Sequence, residues 1–228
     1  LAETTVFKDT YKLPAGHYLR VSENGDATLT RYWSLDNVKR GSFRGTIEDA
    51  QENLTELCDS AFKYRLISDV PVGVFLSGGI DSTFLSTFLR KRLGCELEHI
   101  TIGFHDSFYD ESAKAAQVAS DLELRHTIKT ISASEARDAL TRFVDIWDEP
   151  FGDTSGIPTS ILCGLARQHV KVALSADGGD ELFCGYESYS NYETRFRHMK
   201  RFPLSIRKCV SILLCYLPYR LLISSVLS

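Results

Sequence analysis

The segment with the clearest capacity for chemistry is S-G-G-I-D-S at residues 77–82, between a short apolar run and a helical pattern. Its glycines, Gly78 and Gly79, let the backbone turn tightly and approach an anion closely. The helix that follows directs its free N–H groups and positive dipole end at the turn, and the hydroxyls of Ser77 and Ser82 add donors. The sequence therefore predicts a loop that binds phosphate or pyrophosphate.

Asp81 is the unexpected residue of this loop, because an anion site should repel a carboxylate. A divalent cation removes the conflict, and Mg²⁺ typically binds through one or two carboxylates together with phosphate oxygens. The Walker pattern G-x-x-x-x-G-K-[ST] is absent, so the loop belongs to another class of phosphate loop. The structural alternative is a Gly-Gly turn in which Asp81 and Ser82 only cap a helix.

A second acidic segment, S-A-D-G-G-D-E at residues 175–181, also follows a predicted strand. Parallel strands end at the same edge of a sheet, so we expect Asp180 to meet Asp81 across one Mg²⁺-pyrophosphate. Asp177, nearer the strand end, is expected to handle protons or to orient an amine. The alternative is an Asp-Gly turn with solvated carboxylates.

Alternating strands and helices must position both segments. The pattern predicts strands at 70–76, 99–104, 125–129 and 170–174, and helices at 46–68, 82–93, 110–122, 134–146 and 158–169. Strands that alternate with helices of this length indicate an α/β fold, a parallel sheet flanked by helices, in which ligands bind beyond the carboxyl ends of the strands. Residues 1–40 are β-rich, with a hairpin predicted at Asn24-Gly25.

Composition narrows the class of protein. The 228 residues are 43% hydrophobic and 25% charged, which excludes a disordered or fibrous chain. A net charge of −4 argues against nucleic acid as a partner. Six scattered cysteines without a C-x-x-C pair indicate reduced thiols in the cytoplasm, and no secretory signal is visible. The apolar segment 209–228 contains Pro218 and Arg220, so we expect a packing helix there and no membrane span.

Four segments resemble known families. S-G-G-I-D-S is similar to the pyrophosphate loop of the PP-loop ATP pyrophosphatases. D-E-P-F-G-D-T-S-G-I-P-T (148–159) and S-A-D-G-G-D-E-L-F-C-G-Y (175–186) resemble the synthetase domain of bacterial-type glutamine-dependent asparagine synthetases. Residues 7–19 resemble the last strands of that family's glutaminase domain, whose nucleophilic cysteine has no counterpart at Leu1.

The resemblance implies a fragment with two parts and a two-step reaction. Residues 1–40 would be the tail of an Ntn-type glutaminase domain, and residues 41–228 an asparagine synthetase-like ATP-binding domain that is incomplete at its C-terminus, without the family's catalytic lysine. Aspartate would attack ATP to form β-aspartyl-AMP and pyrophosphate, and ammonia, supplied as such or from glutamine, would then displace AMP. ATP and Mg²⁺ are the implied cofactors, and the full-length protein would form a homodimer.

The resemblance also assigns the site residues. ATP and its pyrophosphate would contact Phe75, Leu76, Ser77, Gly78, Gly79, Asp81, Ser82, Ile102, Gly103, Ser175 and Ala176, with adenine over the strand ends. Asp81 and Asp180 would hold the metal, and Asp177 would be catalytic. Glu149 and Asp153 lie in a loop beside the predicted strand ends, where we expect them to contact the α-amino group of aspartate or the metal; the alternative is that they only cap a helix.

Three positions depart from the family pattern. Ala176 stands where glycine is commoner, Cys184 where glycine or alanine is usual, and Asp177 where other members carry glutamate.

Two other functions are alternatives to asparagine synthesis. One is another adenylating PP-loop ligase, such as an NAD synthetase, a tRNA-modifying ligase or a β-lactam-forming or peptide-cyclising relative. The other is an inactive nucleotide-binding remnant. A tRNA enzyme should be more basic, and S-A-D-G-G-D-E-L-F-C-G-Y is not expected in the NAD synthetases.

Overall fold

The computed structural model describes residues 4–38, 41, 43–105, 110–150, 152–208 and 211. These fall into two compact units, one within residues 1–175 and one within residues 176–228, each of which is treated by itself. The division into residues 1–40 and 41–228 that the resemblance implies stays a prediction.

The first unit begins with an antiparallel hairpin. Strands β1 (His17–Val21) and β2 (Ala27–Arg31) pair with Leu19 opposite Leu29. In the turn, Gly25 adopts a left-handed φ of +87°, and the Ser22 N–H donates to the Asp26 carbonyl at 2.9 Å. The hairpin predicted from Asn24-Gly25 is therefore confirmed, because this connection needs a residue that tolerates positive φ.

Helix α1 (Ile47–Leu66) follows, with Thr46 as its N-terminal cap. The Thr46 hydroxyl accepts a hydrogen bond from the Asp49 N–H at 3.2 Å, and the Asp49 carboxylate accepts one from the Thr46 N–H at 2.8 Å. This capping box satisfies backbone donors at the start of the helix and holds the pKa of Asp49 below its usual value. The predicted helix at 46–68 is confirmed.

Four parallel strands form the sheet of the first unit. They are β3 (Val72–Phe75), β4 (Glu98–Phe104), β5 (Arg125–Ile131) and β6 (Val172–Leu174), in the spatial order β5-β4-β3-β6. The register places Phe75 opposite Ile100 and Val74 opposite Leu174. Each predicted strand is present, and the predicted α/β class with a parallel sheet flanked by helices is confirmed.

Helices connect these strands. They are α2 (Ile80–Thr87), α3 (Ser112–Asp121), α4 (Ala133–Thr141), α5 (Phe143–Ile146) and α6 (Gly156–Ala166). The helix predicted at 82–93 begins earlier and continues as a π-helix over Phe88–Arg92, where the Leu93 N–H donates to the Phe88 carbonyl. The helix predicted at 134–146 is two helices, since Arg142 donates to the Ala139 carbonyl three residues back, a contact that tightens and ends α4.

The two faces of the sheet are buried against different helices. Ile100 packs with Leu165, Ala166 and Val170 near α6, together with the half-buried Phe75, Ile102 and Leu162. Leu76 packs with Ala115 and Ala119 of α3. Successive side chains of a strand point to opposite faces, so Phe75 and Leu76 anchor the end of β3 from both sides.

The second unit contains α7 (Gly179–Phe183) and α8 (Glu187–Lys200). Gly178 precedes α7 with a left-handed φ of +93°, and the Leu182 N–H donates to its carbonyl at 3.1 Å. The acidic segment therefore forms a tight turn that enters a short helix.

Candidate functional site

The S-G-G-I-D-S loop leaves the carboxyl end of β3 and enters α2. Ser77 and Ser82 close it: the Ser77 N–H donates to the Ser82 Oγ at 3.2 Å, and the two hydroxyl oxygens lie 3.0 Å apart. The Gly79 N–H donates to the Ser77 Oγ at 3.2 Å. Two N–H groups that would face an anion are thus held by serine hydroxyls, which a bound phosphate would have to replace.

Gly78 is the position where this loop cannot accept a side chain. Its φ is +78°, in the left-handed region, and a Cβ there would lie 2.6 Å from the Ala115 nitrogen and 2.8 Å from the Lys114 carbonyl carbon. These are backbone atoms of α3, so the clash cannot be relieved by rotating a side chain. The glycine lets the loop pack directly on α3.

The start of α2 is open to a ligand. Gly79 is its N-terminal cap, with ordinary backbone angles and no side chain to cap the first N–H groups. Asp81 lies in the first turn and is half-buried, and no hydrogen bond or ion pair of its carboxylate is found in the part of the chain that the structure describes. A carboxylate here already stabilises the helix dipole and is also available to a cation.

The strand ends carry the residues that the resemblance assigns to adenine. Phe75 and Ile102 point into the α6 side of the core and Leu76 into the α3 side, so a nucleotide would meet their backbone. A Cβ at Gly103 would lie 2.8 Å from the Ser112 Oγ, so packing against the start of α3 is sufficient reason for that glycine. Ser175 follows β6 at the edge where β3 also ends, as predicted for these two strands.

The acidic segment belongs to the second unit. Asp180 and Glu181 lie in the first turn of α7, and Asp177 is exposed in the turn before it. The Tyr186 hydroxyl donates to the Glu181 carboxylate at 2.8 Å, and this contact raises the pKa of Tyr186 to about 12. Asp180 packs closely over Gly185, where a Cβ would lie 2.9 Å from its Cγ. The pairing of Asp180 with Asp81 and the catalytic role of Asp177 stay predictions.

The backbone of Cys184 adopts a conformation that favours glycine. It ends α7 with a left-handed φ of 58°, the conformation that glycine adopts at helix C-termini.

We predict that Cys184→Gly raises the free energy of unfolding by about 0.5–1 kcal/mol, because relief of the left-handed strain outweighs the extra backbone entropy of glycine. Thermal melts against Cys184→Ala, which keeps a Cβ, measure this. A glycine variant no more stable than the alanine variant contradicts it.

Glu149 and Asp153 have protein partners in the loop after α5. Glu149 forms an ion pair with Lys12 and accepts a hydrogen bond from the Val6 N–H at 3.4 Å, contacts that lower its pKa. The Asp153 carboxylate accepts from the Ser155 N–H at 2.8 Å, just before α6. Their predicted substrate contacts stay predictions, and Glu149 would first have to release Lys12.

Nothing in the sequence marks Thr101 as part of the site, because threonine is common in strands. In the structure, Thr101 contacts the start of the loop. Its hydroxyl donates to the Leu76 carbonyl at 2.5 Å and lies 2.7 Å from the His126 Nε2.

The predicted metal does not require a complete protein cage. No group of three or more His, Cys, Asp or Glu side chains that could hold a metal occurs among the described residues. Mg²⁺ usually takes one or two carboxylates plus phosphate oxygens and water. The half-buried Asp81 at the mouth of the loop fits such a role, and Mg²⁺ binding stays a prediction.

The parallel sheet and the glycine-rich loop beyond β3 define an α/β protein of the PP-loop type. The sequence profile of the asparagine synthase family matches residues 53–225. The chain therefore belongs to the asparagine synthase family, and the predicted membership is confirmed.

Two curated relatives show the extent of the match. The chain is 33% identical over 208 residues to the putative asparagine synthetase (glutamine-hydrolyzing) 2 of Methanocaldococcus jannaschii, covering 89% of this chain and 39% of that protein. It is 30% identical over 200 residues to asparagine synthetase (glutamine-hydrolyzing) 1 of Bacillus subtilis, covering 86% of this chain and 30% of that protein. It thus spans less than two-fifths of the length of either.

Among solved structures, the NH3-dependent NAD synthetase of Campylobacter jejuni matches 63% of this chain and 62% of its own, at 20% identity and a TM-score of 0.41.

Over the described ranges, no helix is both long enough and apolar enough to cross a membrane. Of the apolar segment 209–228, only Ser211 lies within those ranges, so the packing helix predicted there falls outside them.

Proposed function

We propose that this chain is the ATP-binding part of a carbon–nitrogen ligase that makes an amide by adenylating a carboxylate. The β-carboxylate of aspartate attacks the α-phosphorus of ATP, pyrophosphate leaves, and β-aspartyl-AMP forms. Ammonia then attacks the acyl carbon, AMP leaves, and asparagine is released with one proton. Membership of the asparagine synthase family and the loop at residues 77–82 support this proposal most directly.

The loop suits the first step because charge accumulates on the departing pyrophosphate. Hydroxyls and N–H groups held in place before the reaction stabilise such charge without reorganising. Ser77 and Ser82 hold the loop's N–H groups in defined directions, and phosphate oxygens would take the place of the serine oxygens as acceptors. Gly78 lets the loop pack against the backbone of α3. Mg²⁺, held by Asp81 and Asp180, would neutralise part of the charge on the β- and γ-phosphates.

The remaining roles follow the resemblance. Adenine lies over the backbone at the ends of β3, β4 and β6, and Asp177 handles a proton or orients the attacking amine. Glu149 and Asp153 bind aspartate or an analogue. Ammonia comes from glutamine or from solution, and the full-length protein is a cytoplasmic homodimer. Among the described residues, Cys58, Cys95, Cys163 and Cys184 form no disulfide.

We predict that Asp81→Asn weakens the binding of ATP at least about tenfold in Mg²⁺ and leaves it unchanged in EDTA. Asparagine has the size of aspartate but no charge, and losing a charged contact costs about 1.5–3 kcal/mol. Calorimetric titration of ATP into the wild type and the variant, each with Mg²⁺ and with EDTA, measures the four affinities.

Asp121→Asn is the matched control for this measurement. Its carboxylate accepts a hydrogen bond from the Gln117 amide at 2.8 Å at the far end of α3, so its loss should not alter ATP binding. Equal wild-type affinity with and without Mg²⁺, or an Asp81→Asn variant that behaves like this control, would remove Asp81 from the metal site.

A further inference from the structure

A chain of hydrogen bonds leads from the interior of the sheet to the start of the phosphate loop. Thr101 of β4 is only 3% exposed, and its hydroxyl donates to the Leu76 carbonyl at 2.5 Å. The His126 Nε2 of β5 lies 2.7 Å from the same hydroxyl oxygen. Leu76 is the residue immediately before Ser77, so this chain ends at the first peptide unit of the loop.

The direction of each hydrogen bond follows from the atoms present. A carbonyl oxygen can only accept, so the single hydroxyl hydrogen of Thr101 goes to Leu76. The hydroxyl oxygen must then accept from His126, which therefore carries a hydrogen on Nε2. Burial lowers the pKa of His126, so the ring is neutral at physiological pH with this nitrogen as its donor.

The Leu76 carbonyl and the Ser77 N–H belong to one peptide unit. That unit is planar and trans, so the direction of the carbonyl determines the direction of the N–H. Thr101 holds the carbonyl at one side, and the Ser82 Oγ accepts from the Ser77 N–H at 3.2 Å on the other. The Leu76 side chain is 2% exposed and the Leu76 N–H donates to the Ile100 carbonyl at 3.1 Å, which leaves rotation of this peptide unit as the remaining freedom.

We propose that Thr101 and His126 are positioning residues that orient the Leu76–Ser77 peptide unit, and with it the first anion-binding N–H of the loop. This inference rests on the proposed function, since it assigns the pair to binding the β- and γ-phosphates of ATP. Neither side chain touches the nucleotide in this proposal, and the Leu76 N–H stays bonded to the Ile100 carbonyl, so their loss should weaken phosphate recognition more than adenosine recognition.

The test compares ATP and inorganic pyrophosphate with AMP, which lacks the β- and γ-phosphates. Thr101→Val keeps the shape and removes the hydroxyl, and Thr101→Ser restores it. We expect Thr101→Val to bind ATP and pyrophosphate about five- to tenfold more weakly, as the loss of one hydrogen bond allows, with AMP within about twofold. Thr101→Ser should behave like the wild type.

Thr127→Val is the matched control, because the Thr127 hydroxyl donates to the Glu98 carboxylate at 2.6 Å and not to the loop. It should leave all three affinities unchanged. If Thr101→Val does not fold, two variants of His126 make the same comparison. His126→Leu removes the donor to Thr101, and His126→Gln retains a donor near the position of Nε2. Equal losses for ATP and AMP, or wild-type affinities in the variants without the hydroxyl or donor, overturn the proposal.

A second measurement separates this inference from the proposed function. A wild type that binds neither ATP nor pyrophosphate refutes the proposed function. In that case hydrogen exchange of the Ser77 amide tests the positioning role of Thr101. Exchange that is faster in Thr101→Val than in both Thr127→Val and the wild type supports that role. Exchange at the wild-type rate in Thr101→Val overturns it.

Discussion

Gly78→Ala should lower the free energy of unfolding by about 2–5 kcal/mol and weaken ATP binding more than about tenfold. About 1–2 kcal/mol comes from forcing an L-residue into a left-handed φ of +78°. About 1–3 kcal/mol more comes from overpacking, because the new methyl group would lie 2.6 Å from the Ala115 nitrogen. The loop can accommodate it only by moving away from α3. Urea unfolding and ATP titration measure the two effects.

Gly94→Ala separates conformational strain from the clash. Gly94 has a similar left-handed φ of +68°, but a Cβ there would meet nothing within 4 Å. The Gly94→Ala variant should therefore lose about 1–2 kcal/mol in its free energy of unfolding and keep the wild-type affinity for ATP. Gly79→Ala tests the loop without left-handed strain, because the φ of Gly79 is −71°. Its new Cβ would lie 3.2 Å from the Ser77 Oγ. A Gly78→Ala variant that loses no more stability than Gly94→Ala would show that the contact with α3 is unimportant.

The central strands of the sheet were predictable because β3 and β4 are largely buried on both faces. Such strands appear as short apolar runs, and the helices between them have their own periodicity, so the order of elements follows from the sequence alone. The position of the loop was also predictable, because two adjacent glycines between a strand pattern and a helix pattern indicate a tight turn between them. Helix ends were less accurate: α2 begins at Ile80 because Gly79 serves as its cap in place of Asp81 or Ser82.

What the sequence did not reveal depends on contacts between distant residues. Thr101 and Leu76 are 25 positions apart, and their hydrogen bond exists only because β4 lies beside β3. Glu149 suited substrate binding by its place in a loop, but Lys12, far away in the sequence, forms an ion pair with it. The π-helical turn at Phe88–Arg92 likewise has no local signature. Periodicity and propensity describe residues that are close along the chain, and they do not predict contacts between residues that are far apart in the sequence.

The two acidic segments should act as one unit if Asp81 and Asp180 hold one Mg²⁺ with the pyrophosphate of ATP. Each substitution to asparagine should then remove most of the metal's effect on ATP affinity, and the double variant should add less than about 0.5 kcal/mol beyond the larger single loss. Residues that share one function are non-additive in this way. A double-mutant cycle on ATP affinity in Mg²⁺, repeated in EDTA, measures the coupling.

The competing explanation of Asp180 is local. It lies in the first turn of α7, where a carboxylate contributes about 0.3–1 kcal/mol by its interaction with the helix dipole. Glu181→Gln is the matched control, because Glu181 lies in the same turn and its carboxylate accepts the Tyr186 hydroxyl. If Asp180→Asn resembles this control, lowering the melting temperature without changing ATP affinity, Asp180 only stabilises its helix. Fully additive losses of affinity would mean that the two carboxylates act at separate places, and the predicted shared metal site would be wrong.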